Sequence, residues 1–269
     1  MATMRYRAAV GATFTDTVPY TAAELAFFNH DKTRQWWEAG KDNGDLIAST
    51  DRWRCRKSDR AMWAYAALKP LSLVNGGPDG KPIVKGNATG LPPDGLMSDT
   101  GSLVVNTSFC LWALAKAGTS AGAVLMSAIG DGGGGLALRL RSGNLVEARA
   151  RVNDTTAFTR ISQTLSSAAY HLVQLNYDHA AGQISVWGDG ALLTGGTPSN
   201  GLFSYTHSFA TTRVSAFVEY DTIYGDLDTP ARNLEIACMG TATATAADSS
   251  WQSALLAMLD EKYPSLNLL

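Results

Sequence analysis

Between Ser108 and Met239 apolar and polar positions alternate with a period of two. Phe109, Leu111 and Ala113 alternate with Cys110, Trp112 and Leu114, and Val124–Ile129 forms the next apolar run. Leu136, Leu138 and Leu140 oppose Arg139 and Arg141. Val146, Ala148, Ala150 and Val152 oppose Glu147, Arg149 and Arg151. Val173, Leu175 and Tyr177 share one face, and across the Asp178–Gln183 turn Ile184 and Val186 share another. Val214, Ala216 and Val218 make a further strand, with Leu234, Ile236 and Cys238 on the last. Turn formers separate the runs, among them Gly132–Gly135 and Ser142-Gly143-Asn144. This alternation predicts antiparallel strands with one wet face. Neither sheet can bury its apolar face alone, so two packed sheets follow.

Helical spacing appears only at the ends. Thr21 and Glu24 make a capping box ahead of Leu25 and Phe28. The spacing predicts a helix that breaks at Asn29-His30-Asp31 and resumes through Trp36-Trp37 to Gly40. Beside Asn29 and Asp31, His30 reads as a polar turn residue. Ser249 and Gln252 are the predicted caps of a closing helix carrying Trp251, Leu255, Met258, Leu259 and Tyr263 on one docking face, stopped before Pro264. Residues 1–20 read as an extended arm. Turn clusters mark loops at 42–44, 75–80 and 91–95, with Met62–Leu68 and Lys81–Lys85 as edge strands between them. The division expected is an N-terminal arm and helix over 1–40 and a β-sandwich with its closing helix over 41–269.

Composition narrows the classes. Of 269 residues, 45% are apolar and 17% charged, and the net charge is −2. Basic residues are scattered apart from Arg52, Arg54, Arg56 and Lys57, which read as a solvated loop, so a nucleic-acid partner is disfavoured. Cys55, Cys110 and Cys238 are too few and too widely spaced for a disulfide framework or a metal-ligand set, and the last two sit in apolar strands as small hydrophobes. No stretch reaches the ~20 apolar residues of a membrane span, and the first residues lack a signal-peptide core. Synthesis in a cytoplasm is the expectation.

The stretch Tyr170–Leu193, YHLVQLNYDHAAGQISVWGDGALL, resembles the hairpin of laminin-G-like domains in the concanavalin A-like lectin/glucanase superfamily. There an aromatic-His-x-hydrophobic strand leads through a short turn to a strand ending in an aromatic-x-Asp/Asn-Gly turn. The matching positions are Tyr170, His171, Val173, Tyr177, Val186, Trp187, Asp189 and Gly190. Asn75–Val84, NGGPDGKPIV, is similar to an approach segment of bacterial and phage members. The resemblance implies an all-β fold: a two-sheet antiparallel jelly-roll sandwich, here with an N-terminal helical segment and a C-terminal helix. That class hosts lectins, adhesion modules, glycosidases and virion proteins, so function rests on the site.

Candidate chemistry is sparse. The E-x-D-x-x-E carboxylate strand of the glucanase relatives has its nearest match at Glu219 and Asp221, with Tyr224 where the third carboxylate belongs, and glycoside hydrolysis needs a facing pair. Asp221, Asp226 and Asp228 form an oxygen-rich loop of the kind calcium takes, and they serve equally as turn formers. No Gly-Lys-Ser/Thr follows Gly132–Gly135, so a phosphate loop fails. No serine sits in a nucleophile elbow. His171 reads as a core or orienting histidine.

What remains is recognition. Trp187, Asp189, Tyr220 and Tyr224 are the candidate glycan contacts. The function expected is a non-enzymatic virion structural protein, a phage capsid decoration or tail surface protein, which attaches to other virion proteins as a homo-oligomer or multi-copy assembly and has a capacity for glycan. No cofactor is expected, calcium excepted, and the location expected is the virion. The alternative is a stand-alone carbohydrate-binding adhesion module, with a glycoside hydrolase third.

Overall fold

In a computed structural model, the period-two segments pair into two eight-stranded sheets in which every pairing is antiparallel. The structure describes residues 20–40, 52–58, 61–63, 71–86, 95–98, 107–118, 124–129, 135–153, 156–165, 169–194, 213–217 and 233–268. In chain order these hold helix α1 (Ala22–Asn29) and strands β1 (Thr33–Glu38), β2 (Arg52–Arg54), β3 (Ala61–Trp63), β4 (Ser72–Val74), β5 (Ile83–Lys85) and β6 (Leu96–Ser98). Then follow β7 (Phe109–Lys116), β8 (Val124–Ile129), β9 (Gly135–Arg141), β10 (Leu145–Asn153) and β11 (Thr156–Thr164). The chain closes with β12 (His171–Asp178), β13 (Gln183–Gly188), β14 (Ala191–Leu192), β15 (Arg213–Ala216), β16 (Glu235–Ala242) and helix α2 (Ser249–Lys262).

One sheet runs β14-β13-β12-β7-β16-β5-β4, with β1 also paired to β16. The other runs β11-β10-β9-β8-β15-β6-β3-β2. Between them lies the main core, to which β7 gives Phe109, Leu111 and Ala113, β12 gives Val173, Leu175 and Tyr177, and β9 gives Leu136, Leu138 and Leu140.

The first sheet departs from the expectation of one wet face. Cys110, Trp112 and Leu114 on the other side of β7 are also fully buried, in a second core closed by α1 and α2. Phe27 of α1 sets its ring edge-on to both Trp36 and Trp112, at 5.6 and 5.7 Å. From α2, Trp251, Leu255, Met258 and Leu259 dock on the same face, each such burial contributing about 1.5–3 kcal/mol. The layers are therefore helices, sheet, sheet.

Local expectations met varied outcomes. The Thr21–Glu24 capping box forms, with Glu24 N–H donating to Thr21 Oγ1 at 3.1 Å and Thr21 N–H to Glu24 Oε2 at 3.0 Å. Beyond His30, however, the chain does not resume a helix: Trp36 and Trp37 lie in β1, one in each core. Two adjacent buried tryptophans pointing opposite ways suit a strand buried on both faces. The closing helix is capped one residue earlier than predicted, by the Asp248 carboxylate, which accepts from Trp251 N–H. Gln252 is turned inward instead. The short strands foreseen near Met62 and Lys81–Lys85 are internal, β3 between β6 and β2 and β5 between β16 and β4. Cys238 leaves the face of Leu234 and Ile236 because the register slips between Ile236 and Cys238. A one-residue bulge reverses the parity of everything after it.

The basic stretch is not a solvated loop. Arg56 is only 7% exposed, held by Glu24 and Glu38 with its guanidinium 4.1 Å above the Trp36 ring. Its charge concealed its position, because its partners come from distant segments.

Candidate functional site

The hairpin of β12 and β13 pairs Val173 with Gly188, Leu175 with Val186 and Tyr177 with Ile184. Its far turn is built by Asp178, whose Oδ1 accepts from Ala180 and Ala181 N–H at 3.0 and 3.1 Å. At the other end Asp189 has φ 48, a left-handed conformation that aspartate tolerates. Its Oδ1 accepts from Leu172 N–H at 2.9 Å, its Oδ2 lies 2.7 Å from His171 Nδ1, and its own N–H donates to Leu172 O at 2.8 Å. Asp189 thus clips the turn back onto the start of β12, and His171, expected as a core or orienting histidine, is buried beside it at 4% exposure. Trp187 is half-buried and stands in register with Gln174 and Leu192, the latter 49% exposed. Tyr220, Tyr224, Asp221, Asp226 and Asp228 lie outside the described residues, as do Glu219 and the start of the Gly132–Gly135 run. Among the described residues no three His, Cys, Asp or Glu side chains group as metal ligands.

A second arrangement is assembled by register. Glu235 on β16 lies directly opposite Lys85 on β5 and Lys116 on β7, and Tyr170, one residue before β12, continues the row. Parity puts all four on the helix-backed face, one row beyond Leu114 and Leu172. Tyr170 Oη donates to Glu235 Oε2 at 2.6 Å. Lys85 Nζ lies 3.4 Å from Oε1 and Lys116 Nζ 3.9 Å from Oε2, and Lys116 sits 5.9 Å from the centre of the Tyr170 ring. The lysine side chains are 28% and 38% exposed, that of Glu235 15%. Burial, together with Glu235 as hydrogen-bond acceptor and negative neighbour, pushes the Tyr170 phenol well above its ordinary 10, so it stays a donor. The sequence reading missed this row. Each member is a polar residue at the edge of an apolar run, and only the pairing of four strands makes them neighbours.

Three further clusters among the described residues are held in structural contacts. Glu24, Glu38, Arg56 and Lys262 form a buried two-anion, two-cation network, with Arg56 and Lys262 each bridging both carboxylates. It joins α1, β1, the segment after β2 and α2. Burial pushes the Cys110 and Cys238 thiols up, and Tyr263 with them, away from any nucleophilic form. At the start of α2, Ser250 Oγ donates to Asp248 Oδ1 at 2.9 Å and lies 3.3 Å from His30 Nε2. The serine proton is thus directed at the cap, and Asp31, 3.2 Å from Nδ1, has an 80% exposed side chain. That is a helix cap, lacking the buried orienting carboxylate of a catalytic triad.

No family model and no curated protein matches the chain. Solved structures do. A Trypanosoma rangeli sialidase in complex with 2,3-difluorosialic acid, a covalent intermediate, superposes with a TM-score of 0.52 at 15% identity, over 94% of this chain and 36% of that one. The binding domain of botulinum neurotoxin DC, in complex with rat synaptotagmin II, superposes with a TM-score of 0.51 at 9% identity, over 83% and 52%. A heptameric SAP-like pentraxin from Limulus polyphemus gives 0.46 at 13% identity, over 65% and 81%. The chain spans about a third of the sialidase and half of the toxin domain. The likeness to the sialidase and the toxin domain shows the fold, a two-sheet β-sandwich, and fold alone does not carry activity. Among the described residues no helix is long and apolar enough to cross a membrane.

Proposed function

We propose that the protein is a non-catalytic attachment module, a multi-copy surface protein of a virion that meets its partner through the Lys85–Glu235–Lys116–Tyr170 row. The observation that carries this is the row itself. The helices seal most of the outer face of the first sheet, and beyond them a cross-strand line of two lysines, a carboxylate and an aromatic reaches solvent. The direction of the Tyr170 shift favours binding over catalysis, since a phenolic nucleophile needs its proton removed easily. The three cysteines are free and buried, which supports folding where thiols stay reduced, as in a host cytoplasm. The virion setting itself rests on the family resemblance of the hairpin.

Quantitative mass spectrometry of purified particles tests the reading. The expected result is a fixed copy number per particle that falls when Lys85 and Lys116 are both replaced by glutamate. Absence from particles overturns the virion setting. If glycan binding then persists, the stand-alone lectin-like module replaces it.

A further inference from the structure

We infer that the exposed end of this row, Lys85, Lys116 and the Tyr170 ring, binds an acidic sugar, one bearing a carboxylate or a sulfate; the inference rests on the attachment reading and names its ligand class. Which lone pairs and donors are left over decides what the row can hold. A site for neutral sugars offers carboxylate or amide oxygens to the hydroxyls. Here both oxygens of Glu235 are engaged, Oε2 by Tyr170 and Lys116 and Oε1 by Lys85. What the row presents outward is therefore donors. Each ammonium carries three, and Glu235 is an ion-pair partner at 3.4 Å to Lys85 and 3.9 Å to Lys116.

Charge gives the same answer. Two lysines against one carboxylate leave a surplus of one positive charge, in a chain whose net charge is −2. An anion drawn here is drawn by the site, since the molecule as a whole repels it. The half-buried Tyr170 ring beside Lys116 supplies the apolar platform on which a sugar ring stacks. Its hydroxyl is tied to Glu235, which fixes the ring's orientation before a ligand arrives. A small inorganic anion has no use for that platform, and a neutral sugar has none for the surplus charge.

The experiment measures binding of the full chain to three soluble polymers: dextran (neutral), polygalacturonate (carboxylate) and dextran sulfate (sulfate). It compares the wild type with Lys85→Gln/Lys116→Gln and with Lys32→Gln/Lys81→Gln, a control of equal charge change away from the row. The expected result is binding to one or both acidic polymers at least tenfold tighter than to dextran, weakening as salt is raised. The row variant should lose at least tenfold and the control variant nothing, with both unfolding at the wild-type temperature. Which acidic polymer binds decides between carboxylate and sulfate. Equal losses in the two variants, preference for dextran, or no binding to any polymer would each overturn the inference. If the protein still rides on particles at fixed copy number, the attachment reading survives that failure. Loss of particle association sinks the reading beneath it instead.

Discussion

Gln174 on β12 and Gln252 on α2 pair amide to amide: Gln174 Nε2 donates to Gln252 Oε1 at 2.9 Å, and Gln252 Nε2 returns a bond to Gln174 Oε1 at 3.0 Å. Both side chains are buried, and this closed polar pair sits in the helix-to-sheet interface among apolar side chains such as Trp112, Leu172, Trp251 and Leu255. Replacing Gln252 alone with leucine strands the Gln174 amide, at a cost of about 1–3 kcal/mol. Replacing both with leucine removes the need for partners. The double variant should then be more stable than the sum of the two singles implies, a coupling that urea unfolding of all four proteins measures. Strict additivity would mean that the two amides do not depend on each other.

The buried network around Arg56 makes a prediction in pH. Burial raises the Glu24 carboxyl, but the Lys262 ammonium, the Thr21 N–H and the Arg56 guanidinium outweigh it and hold the pKa below its ordinary 4.5. A depressed carboxylate contributes stability that is present above the unfolded pKa and lost as pH falls through the folded one. Lys262→Met should therefore destabilise most near neutrality, and its deficit should shrink as the pH is lowered through 4.5. A deficit constant from neutral to strongly acid solution would contradict the coupling. Arg56→Met, which leaves two buried carboxylates to one lysine, should cost about 3–5 kcal/mol at neutral pH.

The strand grammar of this chain was open to reading because period two is local, and every strand expected from Phe109 to Ile184 formed. Trp36-Trp37 was not, since two adjacent apolar residues fit a helix as well as a doubly buried strand until β16 is placed beside them. Arg56 and Lys262 look like surface charges in a linear chain and become interior ones only when α1 and α2 meet on the same sheet. Trp187 and Asp189 were singled out by the shape of their turn; the structure binds the Asp189 carboxylate to β12, while the Lys85–Tyr170 row escaped notice because register makes it. Propensity and pattern act within a strand, whereas this site is a property of four strands together.

Gly240 is a tight point of the helix-backed sheet, with less room for a Cβ than Gly188 on β13. It lies opposite both Trp36 and Trp112, and a Cβ there would stand 2.3 Å from Gln35 O and 2.7 Å from Trp112 Cζ2. The first contact is backbone, so β1 would have to move away from β16. Gly240→Ala should cost at least the ~1–3 kcal/mol of an overpacked core. Gly40→Ala, where a Cβ meets nothing within 4 Å, should stay within about 0.5 kcal/mol of the wild type. Thermal unfolding of the two variants side by side checks the contrast, and similar melting temperatures would refute it.

Asp189 separates a structural from a ligand-binding carboxylate. Asparagine keeps the left-handed backbone and an oxygen to accept from Leu172 N–H, and removes the charge beside His171. Alanine removes both and strains the turn. If the carboxylate is a clip, Asp189→Ala should lose about 1–3 kcal/mol, Asp189→Asn clearly less, and neither should alter acidic-polymer binding at a temperature where both are folded. If it touches a ligand, the asparagine variant should keep its stability and lose its binding. Urea midpoints and polymer affinities on the same samples distinguish the two, and the bonds to His171 and Leu172 favour the clip.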